Sequence, residues 1–412
     1  MKIVIVGSTF PLSQEDSQVP WLRETAGRLL RSGHDVTVIA PAFRGNKRHT
    51  IDGVPVKRFR YGPAAWEILT HDSGAPNKVA KSKLLKLLTI PYIISGFISV
   101  LWHLVLKRPD VINVHWPFPH GVMAWLPARL TGTRIVATCH GAELAIVRDN
   151  KKLSAVLRWL LQHSDAVTCN SSHTKSQITK LCGADFGVHI LPYGSTVPEY
   201  VDRGERRDPS APKLLLTCGR IIERKGLPYL IEALPAMLAR QPVHLVITGE
   251  GDQKENIQRL VAEKGLQEHV EFAGFVSNER LGELYRTADL YVHPSIHDSR
   301  GDTEGLGVVL IEALANKRPV IACGVGGIVD VIQDGETGVL VEEKNSEALA
   351  KAVNELLNDP ERSALLAERG YAFAQSHFNW DRINAELVKV FEGSRAADPV
   401  SAPATTASPQ VS

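Results

Sequence analysis

Glu304 and Glu312 are the residues whose type and spacing most plainly suggest chemistry. They frame the string Thr303-Glu304-Gly305-Leu306-Gly307-Val308, which runs on through apolar helix formers to Ala315. A glycine-flanked turn opening a helix presents free backbone N–H groups and the positive end of the helix dipole, a setting that suits a diphosphate. Glu304 falls in the loop before the helix, and Glu312 lies about 7 Å further along the axis. One carboxylate can then accept hydrogen bonds from sugar hydroxyls and the other from ribose hydroxyls, with the phosphates between. Singly, each Glu also fits a charge that complements the dipole or an exposed helix position; the whole string favours the ligand reading. Gly219, Arg220 and Lys225 form a second group, directly after the apolar run Leu214-Leu215-Leu216-Thr217-Cys218. A forked guanidinium and a compact ammonium can neutralise a leaving diphosphate without a metal ion. An isolated pair of cations would simply be solvated, but these two sit at the carboxyl end of a strand, where open α/β sheets bind ligands. His140, followed by Gly141 at the end of the strand Arg134–Ala137, is the third candidate. Thr248-Gly249-Glu250-Gly251 and Gly274-Phe275-Val276 are weaker; they could offer backbone groups and a flat side chain to a base.

These residues need a scaffold of strand ends, and the chain supplies one. Short apolar runs alternate with helical patterns, which predicts an α/β protein of mostly parallel sheets. Strands are expected at 2–6, 36–40, 55–59, 111–115, 134–138, 166–169 and 188–191, with an amphipathic helix near 20–32 stopped by Gly33. A second series begins at 214–218 and continues at 243–248, 269–272, 289–293, 319–322 and 338–341. The breaker-rich stretch 198–212 reads as the linker. The 412 residues suit two domains: a first at 1–200, a second at 210–370, a C-terminal helix at 371–393, and a disordered Ala/Pro/Ser/Thr-rich tail at 394–412.

Charge is divided between the halves. Residues 1–200 hold 24 Lys and Arg against 13 Asp and Glu, whereas the remainder holds 23 against 32. The basic half is thus a candidate for meeting phosphates or an anionic membrane face, or it is only a solvated basic surface. The segment from Lys78 to Leu106 is almost wholly apolar from Leu84, with Lys86 and His103 as interruptions; it contains Pro91 and Gly96 and runs straight into the strand at 111–115. A membrane span there would divide one sheet across a bilayer. The segment is read instead as partly buried helices, with a purely buried helix and a face for a membrane surface both left open. Five scattered cysteines without a C-x-x-C pair fit a reducing compartment and argue against a disulfide framework or a zinc site. The N-terminal apolar run is too short for a signal peptide.

Taken together these residues resemble glycosyltransferase family 4. The resemblance is carried by Gly33-His34-Asp35-Val36, Arg108-Pro109-Asp110-Val111, His140-Gly141, Gly219-Arg220 through Lys225-Gly226 and Gly249-Glu250-Gly251. Phe275-Val276, Glu304 to Glu312 as the family's E-x7-E, Gly326-Gly327 and Asp334-Gly335-Glu336-Thr337-Gly338 extend it. It implies the GT-B fold, two doubly wound Rossmann-like domains facing a cleft, and a retaining hexosyltransferase. By that resemblance Gly219, Arg220 and Lys225 would hold the donor diphosphate. Glu304 would hold the transferred sugar and Glu312 the ribose. Leu306, Gly307 and Val308 would give backbone contacts, Phe275 and Val276 would border the base, and His140 would lie at the reaction centre. No cofactor or metal is expected. The expected partners are a UDP- or GDP-sugar, a saccharide or lipid-linked acceptor and an anionic membrane surface, with no nucleic acid. The expected setting is cytoplasmic, peripheral at the inner face of the cell membrane, in polysaccharide or glycolipid synthesis. The family's Gly-Gly pair after the first strand is replaced here by Asp16 and Ser17.

Rival readings are an epimerase or phosphorylase of the same architecture, and a non-catalytic nucleotide-sugar-binding subunit. The chain lacks G-x-G-x-x-G after its first strand, G-x-x-x-x-G-K-[ST], G-x-S-x-G and D-x-D. Those gaps disfavour dehydrogenase, P-loop NTPase, α/β-hydrolase and metal-dependent transferase chemistry in turn.

Overall fold

A computed structural model of the protein describes residues 1–16, 18–71, 82–197 and 211–393. Ser17, Lys78, Lys81, most of the expected linker and the expected tail lie outside the described residues, as do the side chains of Lys83 and Leu84.

The first half alternates strand and helix: β1 (Lys2–Val6), α1 (Pro20–Arg31), β2 (Asp35–Pro41), β3 (His49–Ile51), β4 (Val54–Phe59), α2 (Lys83–Lys107), β5 (Val111–His115), α3 (Pro117–Thr131), β6 (Arg134–Cys139), α4 (Ala142–Val147), α5 (Lys151–Gln162), β7 (Ala166–Cys169), α6 (Ser172–Cys182) and β8 (His189–Ile190). The sheet order is β3-β4-β2-β1-β5-β6-β7-β8, parallel throughout except for the β3–β4 hairpin. Alternate residues of β1 enter different cores: Ile3 and Ile5 on one face, Val4 and Val6 on the other. Both faces are therefore covered, as a parallel sheet requires. The chain leaves β1 in one direction to β2 and in the other to β5, so a crevice opens between the carboxyl ends of β1 and β5.

The second half repeats the plan with β9 (Lys213–Cys218), α7 (Leu227–Leu238), β10 (Val243–Thr248), α8 (Lys254–Glu263), β11 (Val270–Gly274), α9 (Asn278–Thr287), β12 (Leu290–His293), α10 (Val308–Ala315), β13 (Val320–Cys323), β14 (Val339–Val341), α11 (Ser346–Asn358), α12 (Pro360–His377) and α13 (Trp380–Glu392). Its parallel sheet runs β11-β10-β9-β12-β13-β14, with the reversal between β9 and β12. Leu215 and Ile247 point into one core, Leu214, Leu216 and Val246 into the other. α13 crosses back, and Leu387, Val390 and Phe391 join Ile3, Ile5 and Leu22 in the core of the first half. Trp380 Nε1 donates to the Ser195 carbonyl at 2.8 Å, pinning this return to the connecting segment.

Three elements differ from the sequence reading, the first being the expected C-terminal helix at 371–393, which is the end of α12 followed by α13 with a break at Phe378-Asn379. β3 was not foreseen, although Asp52-Gly53 is its turn: both residues have positive φ, 50° and 82°, which suits a two-residue hairpin. The apolar segment forms one continuous helix through Pro91, not several. Packing overrides the proline: Leu88, Tyr92, Val100 and Leu104 are buried along one side of α2.

Candidate active site

The reversal point of the second sheet brings together the loops after β9 and β12, and with them most of the expected donor residues. Gly219 and Arg220 follow β9; Lys225 ends a short 3-10 turn, Glu223–Lys225, that leads into α7. Lys225 donates to Glu304 Oε2 at 2.6 Å, and His293, at the tip of β12, stands 3.6 Å from the same oxygen. Burial alone would raise the Glu304 pKa, but the adjoining Lys225 ammonium and His293 hold it well below the usual carboxylate range. Glu304 is thus ionised. His293 is pushed down to about 4, by burial first and Lys225 second, and stays neutral. Arg220 is exposed, and its guanidinium has no hydrogen bond or ion pair among the described residues. Together with Thr217, Cys218, Lys225, Thr248 and His293 it lines a small open pocket. Phe275 stands exposed just beyond β11, while Val276 packs against the core.

The loops hold one another in place. Arg224 pairs with Asp302 at 3.0 Å, and Glu223 accepts the Ser299 N–H at 2.8 Å, tying the Lys225 turn to the loop that carries Glu304. From below, the Gly327 N–H donates to the Glu304 carbonyl at 2.9 Å. Gly326 has φ 59°, and a β-carbon there would sit 2.1 Å from that same carbonyl oxygen, so only glycine fits. Leu306 is buried and Gly307 caps α10 with φ 86° and no side-chain cap, which leaves the N–H groups at the helix start for a ligand. Val308 is the first residue of that helix.

Glu312 stands on α10 where its spacing puts it, but its carboxylate is already engaged. It is only 5% exposed, and both its oxygens are engaged: Thr196 donates at 2.8 Å and Tyr285 at 3.2 Å. Burial pushes its pKa up to about 7. A ribose would therefore have to share these oxygens with Thr196, on the segment connecting the two halves, or displace it.

His140 faces this group from the first half. Its N–H donates to Glu143 at 2.8 Å, and Gly305 lies against its carbonyl. The ring is walled by Trp21, Trp116 and His115, with centroids 4.6, 4.7 and 5.1 Å away. Nε2 pairs with His115 Nδ1 at 3.0 Å, and Nδ1 meets the Tyr193 hydroxyl. Burial and the neighbouring His115 push the His140 pKa well below its ordinary value, so the ring is neutral. Across the cleft the Ser172 N–H donates to Asp330 at 2.6 Å, and Arg148 reaches the Gly301 carbonyl at 3.2 Å.

Sequence reasoning passed over His115, Tyr193, Trp21, His293, Thr196 and Tyr285. For His115 and His293 a signal existed, since both end strands beside a reversal point, as His140 nearly does. Asp16, one of the two residues in place of the glycine pair, accepts the Leu12 and Gln18 N–H groups and shapes its own loop.

Comparison with known proteins places the chain in a family. Residues 20–194 match the model of Glycosyltransferase Family 4, and residues 201–373 that of Glycosyl transferases group 1. An uncharacterised glycosyltransferase of Methanocaldococcus jannaschii is 33% identical, over 95% of this chain and 98% of its own. A GDP-mannose-dependent alpha-(1-6)-phosphatidylinositol monomannoside mannosyltransferase of Mycolicibacterium smegmatis is 28% identical, over 96% and 99%. Among solved structures, the sucrose-phosphate synthase of Thermosynechococcus elongatus superposes with a TM-score of 0.76 at 22% identity, covering 95% of this chain and 98% of that one. The two parallel α/β domains are the GT-B fold, and the chain belongs to glycosyltransferase family 4. It is a glycosyltransferase.

Proposed function

We propose that the protein is a retaining, metal-independent hexosyltransferase that passes a sugar from a UDP- or GDP-sugar to a saccharide or lipid-linked acceptor. The observation that carries this is the Lys225–Glu304 pair beside Arg220 and the start of α10, with His140 opposite. In that arrangement an incoming diphosphate offers Lys225 a more highly charged partner than Glu304 does. Lys225 and Arg220 then neutralise the leaving phosphate, the charge a divalent ion would otherwise balance. Glu304, released, accepts hydrogen bonds from the sugar hydroxyls.

In this scheme Glu304 is engaged by the sugar hydroxyls and Glu312 is enclosed by Thr196 and Tyr285, so neither serves as a nucleophile toward the anomeric carbon. Retention then follows a same-face displacement. The bond from the anomeric carbon to phosphate oxygen breaks as the acceptor oxygen bonds on the same side, and the acceptor proton passes to the departing phosphate oxygen. Neutral His140 accepts or donates one hydrogen bond to the sugar once its ring leaves His115 or Tyr193.

The likeness to a GDP-mannose-dependent enzyme makes GDP-mannose the first donor to try, and a mannosylated lipid the first acceptor. The five unpaired cysteines, four of them buried, suit a cytoplasmic setting. Incubation with a panel of GDP- and UDP-sugars in the presence of a chelator, followed by NMR of the product linkage, tests the reading. An α-linked product formed from an α-linked donor under chelation supports it. An inverted linkage, or epimerised sugar released without acceptor, overturns it.

A further inference from the structure

α2 is long and apolar enough to cross a membrane, but only one side of it is free. Leu88, Tyr92, Val100 and Leu104 are packed with Val4, Val6, Ile112 and Val114 from the centre of the sheet. Lys57 donates to His103 at 2.6 Å, and the Tyr92 hydroxyl meets His120 at 2.9 Å. α3 approaches so closely that a β-carbon at Gly96 would lie 2.4 Å from the Met123 sulfur. Drawing α2 into a bilayer would dismantle this core.

The opposite side is another matter. Leu87, Ile90, Ile94, Ile98, Trp102 and Leu106 recur at steps of three and four, one stripe along a helix about 37 Å long. Each is between 54% and 66% exposed. The stripe continues onto α3, which packs along α2 and exposes Val122, Leu126 and Leu130 at the same four-residue step. α5, packed on α3, adds exposed Val156 and Trp159. Exposed apolar side chains in this number on three successively packed helices mark an interaction site.

Its charge identifies the partner. α2, α3 and α5 contain no Asp or Glu, whereas Lys86 and Lys107 flank the stripe at either end and Lys151, Lys152 and Arg158 lie exposed on α5. Asp165, just beyond α5, is 3.3 Å from Arg129 and so opposes none of these cations. An apolar stripe whose own helices carry cations and no carboxylates, with Asp110 and Asp149 only in the loops beyond their ends, is complementary to a surface with an apolar interior and an anionic skin.

We propose that this face seats the protein on an anionic phospholipid bilayer, with α2 lying in the interfacial plane and not crossing it. The inference rests on the transferase reading only for its use, which is to bring the cleft to a lipid-linked acceptor. The contact itself needs no turnover.

The test is co-sedimentation of the full chain with phosphatidylcholine vesicles, with and without phosphatidylglycerol. Wild-type protein is expected to bind the anionic vesicles at low salt, to release as salt rises, and to leave neutral ones alone. Ile94→Asp/Ile98→Asp should lower binding about tenfold or more while GDP-sugar binding in solution is kept. Brominated phospholipid should quench part of the tryptophan emission, less so in Trp102→Phe. Wild-type protein that ignores anionic vesicles overturns the proposal, as does vesicle binding unaffected by the double substitution. Light scattering that shows a dimer broken by the same substitutions would also overturn it, assigning the face to a second copy. GDP-sugar binding measured on the same samples shows separately whether the transferase reading stands.

Discussion

The two halves share a topology and put their strand-end loops at the same place, yet they fill it differently. The second half spends charge: Arg220, Lys225 and Glu304 at the reversal between β9 and β12. The first half places neutral rings at the matching position, with His115, His140, Trp21, Trp116 and Tyr193 against one another and both histidines driven well below their ordinary pKa. The contrast follows from what each side would meet. A diphosphate needs fixed countercharge, whereas a sugar in transit needs flat apolar walls and a few neutral hydrogen-bonding groups. Charge lost from the second half should therefore cost donor binding. Groups lost from the first half should cost turnover with the donor still bound.

Lys225→Ala should give the largest effect. It removes a charge-assisted contact worth about 1.5–3 kcal/mol to the diphosphate and leaves Glu304 largely buried without its partner. Nucleotide affinity should fall ten- to a hundredfold (about 1.4–2.7 kcal/mol) by calorimetry, and thermal stability should fall with it. Adding Glu304→Gln to that variant should restore stability without restoring affinity; stability that stays low would deny the pairing.

Glu312→Gln separates protonation from recognition. Because burial raises the Glu312 pKa in the fold, the native state holds its proton more tightly than the unfolded chain. Stability is unaffected by this below the unfolded pKa near 4.5, then declines until the pH passes about 7. The Gln variant escapes that decline. Its melting temperature relative to wild type should rise between pH 5 and pH 8, by at most about 3 kcal/mol of stability. A difference that does not change with pH would mean the carboxyl is not buried as described.

On the neutral side, Tyr193→Phe should lower kcat several-fold, about 1 kcal/mol, by loosening His140, with KM for the donor little changed. A change confined to donor KM would move Tyr193 to the other half of the comparison. Thr196→Val is the smallest expected effect. Freeing one Glu312 oxygen for ribose should tighten nucleotide binding about two- to threefold, or roughly half a kcal/mol.

Strand positions such as 2–6, 111–115 and 243–248 were legible because apolar runs bounded by breakers are local signals, and they match β1, β5 and β10 residue for residue. The E-x7-E string and the Arg220–Lys225 loop were legible for the same reason. Their partners were not. Lys225 and Glu304 are 79 residues apart, and Thr196 and Glu312 are 116 apart, so only the sheet order brings them together. A carboxylate's spacing tells where it stands on a helix, but not which hydroxyl already occupies it. The exposed side of α2 was hidden differently: composition showed an apolar segment, and only packing shows which side the core leaves uncovered.

The exchange of Lys225 from Glu304 to the donor diphosphate is the central claim, and titration calorimetry of GDP and UDP tests it most directly. The nucleotides would be titrated into wild type, Glu304→Gln, Lys225→Ala and the double variant. With its ammonium no longer held at 2.6 Å by a carboxylate, Glu304→Gln should bind the preferred nucleotide at least as tightly as wild type. Lys225→Ala and the double variant should be equally weak. If Glu304→Gln loses as much affinity as Lys225→Ala, Glu304 contacts the nucleotide itself and the exchange does not occur.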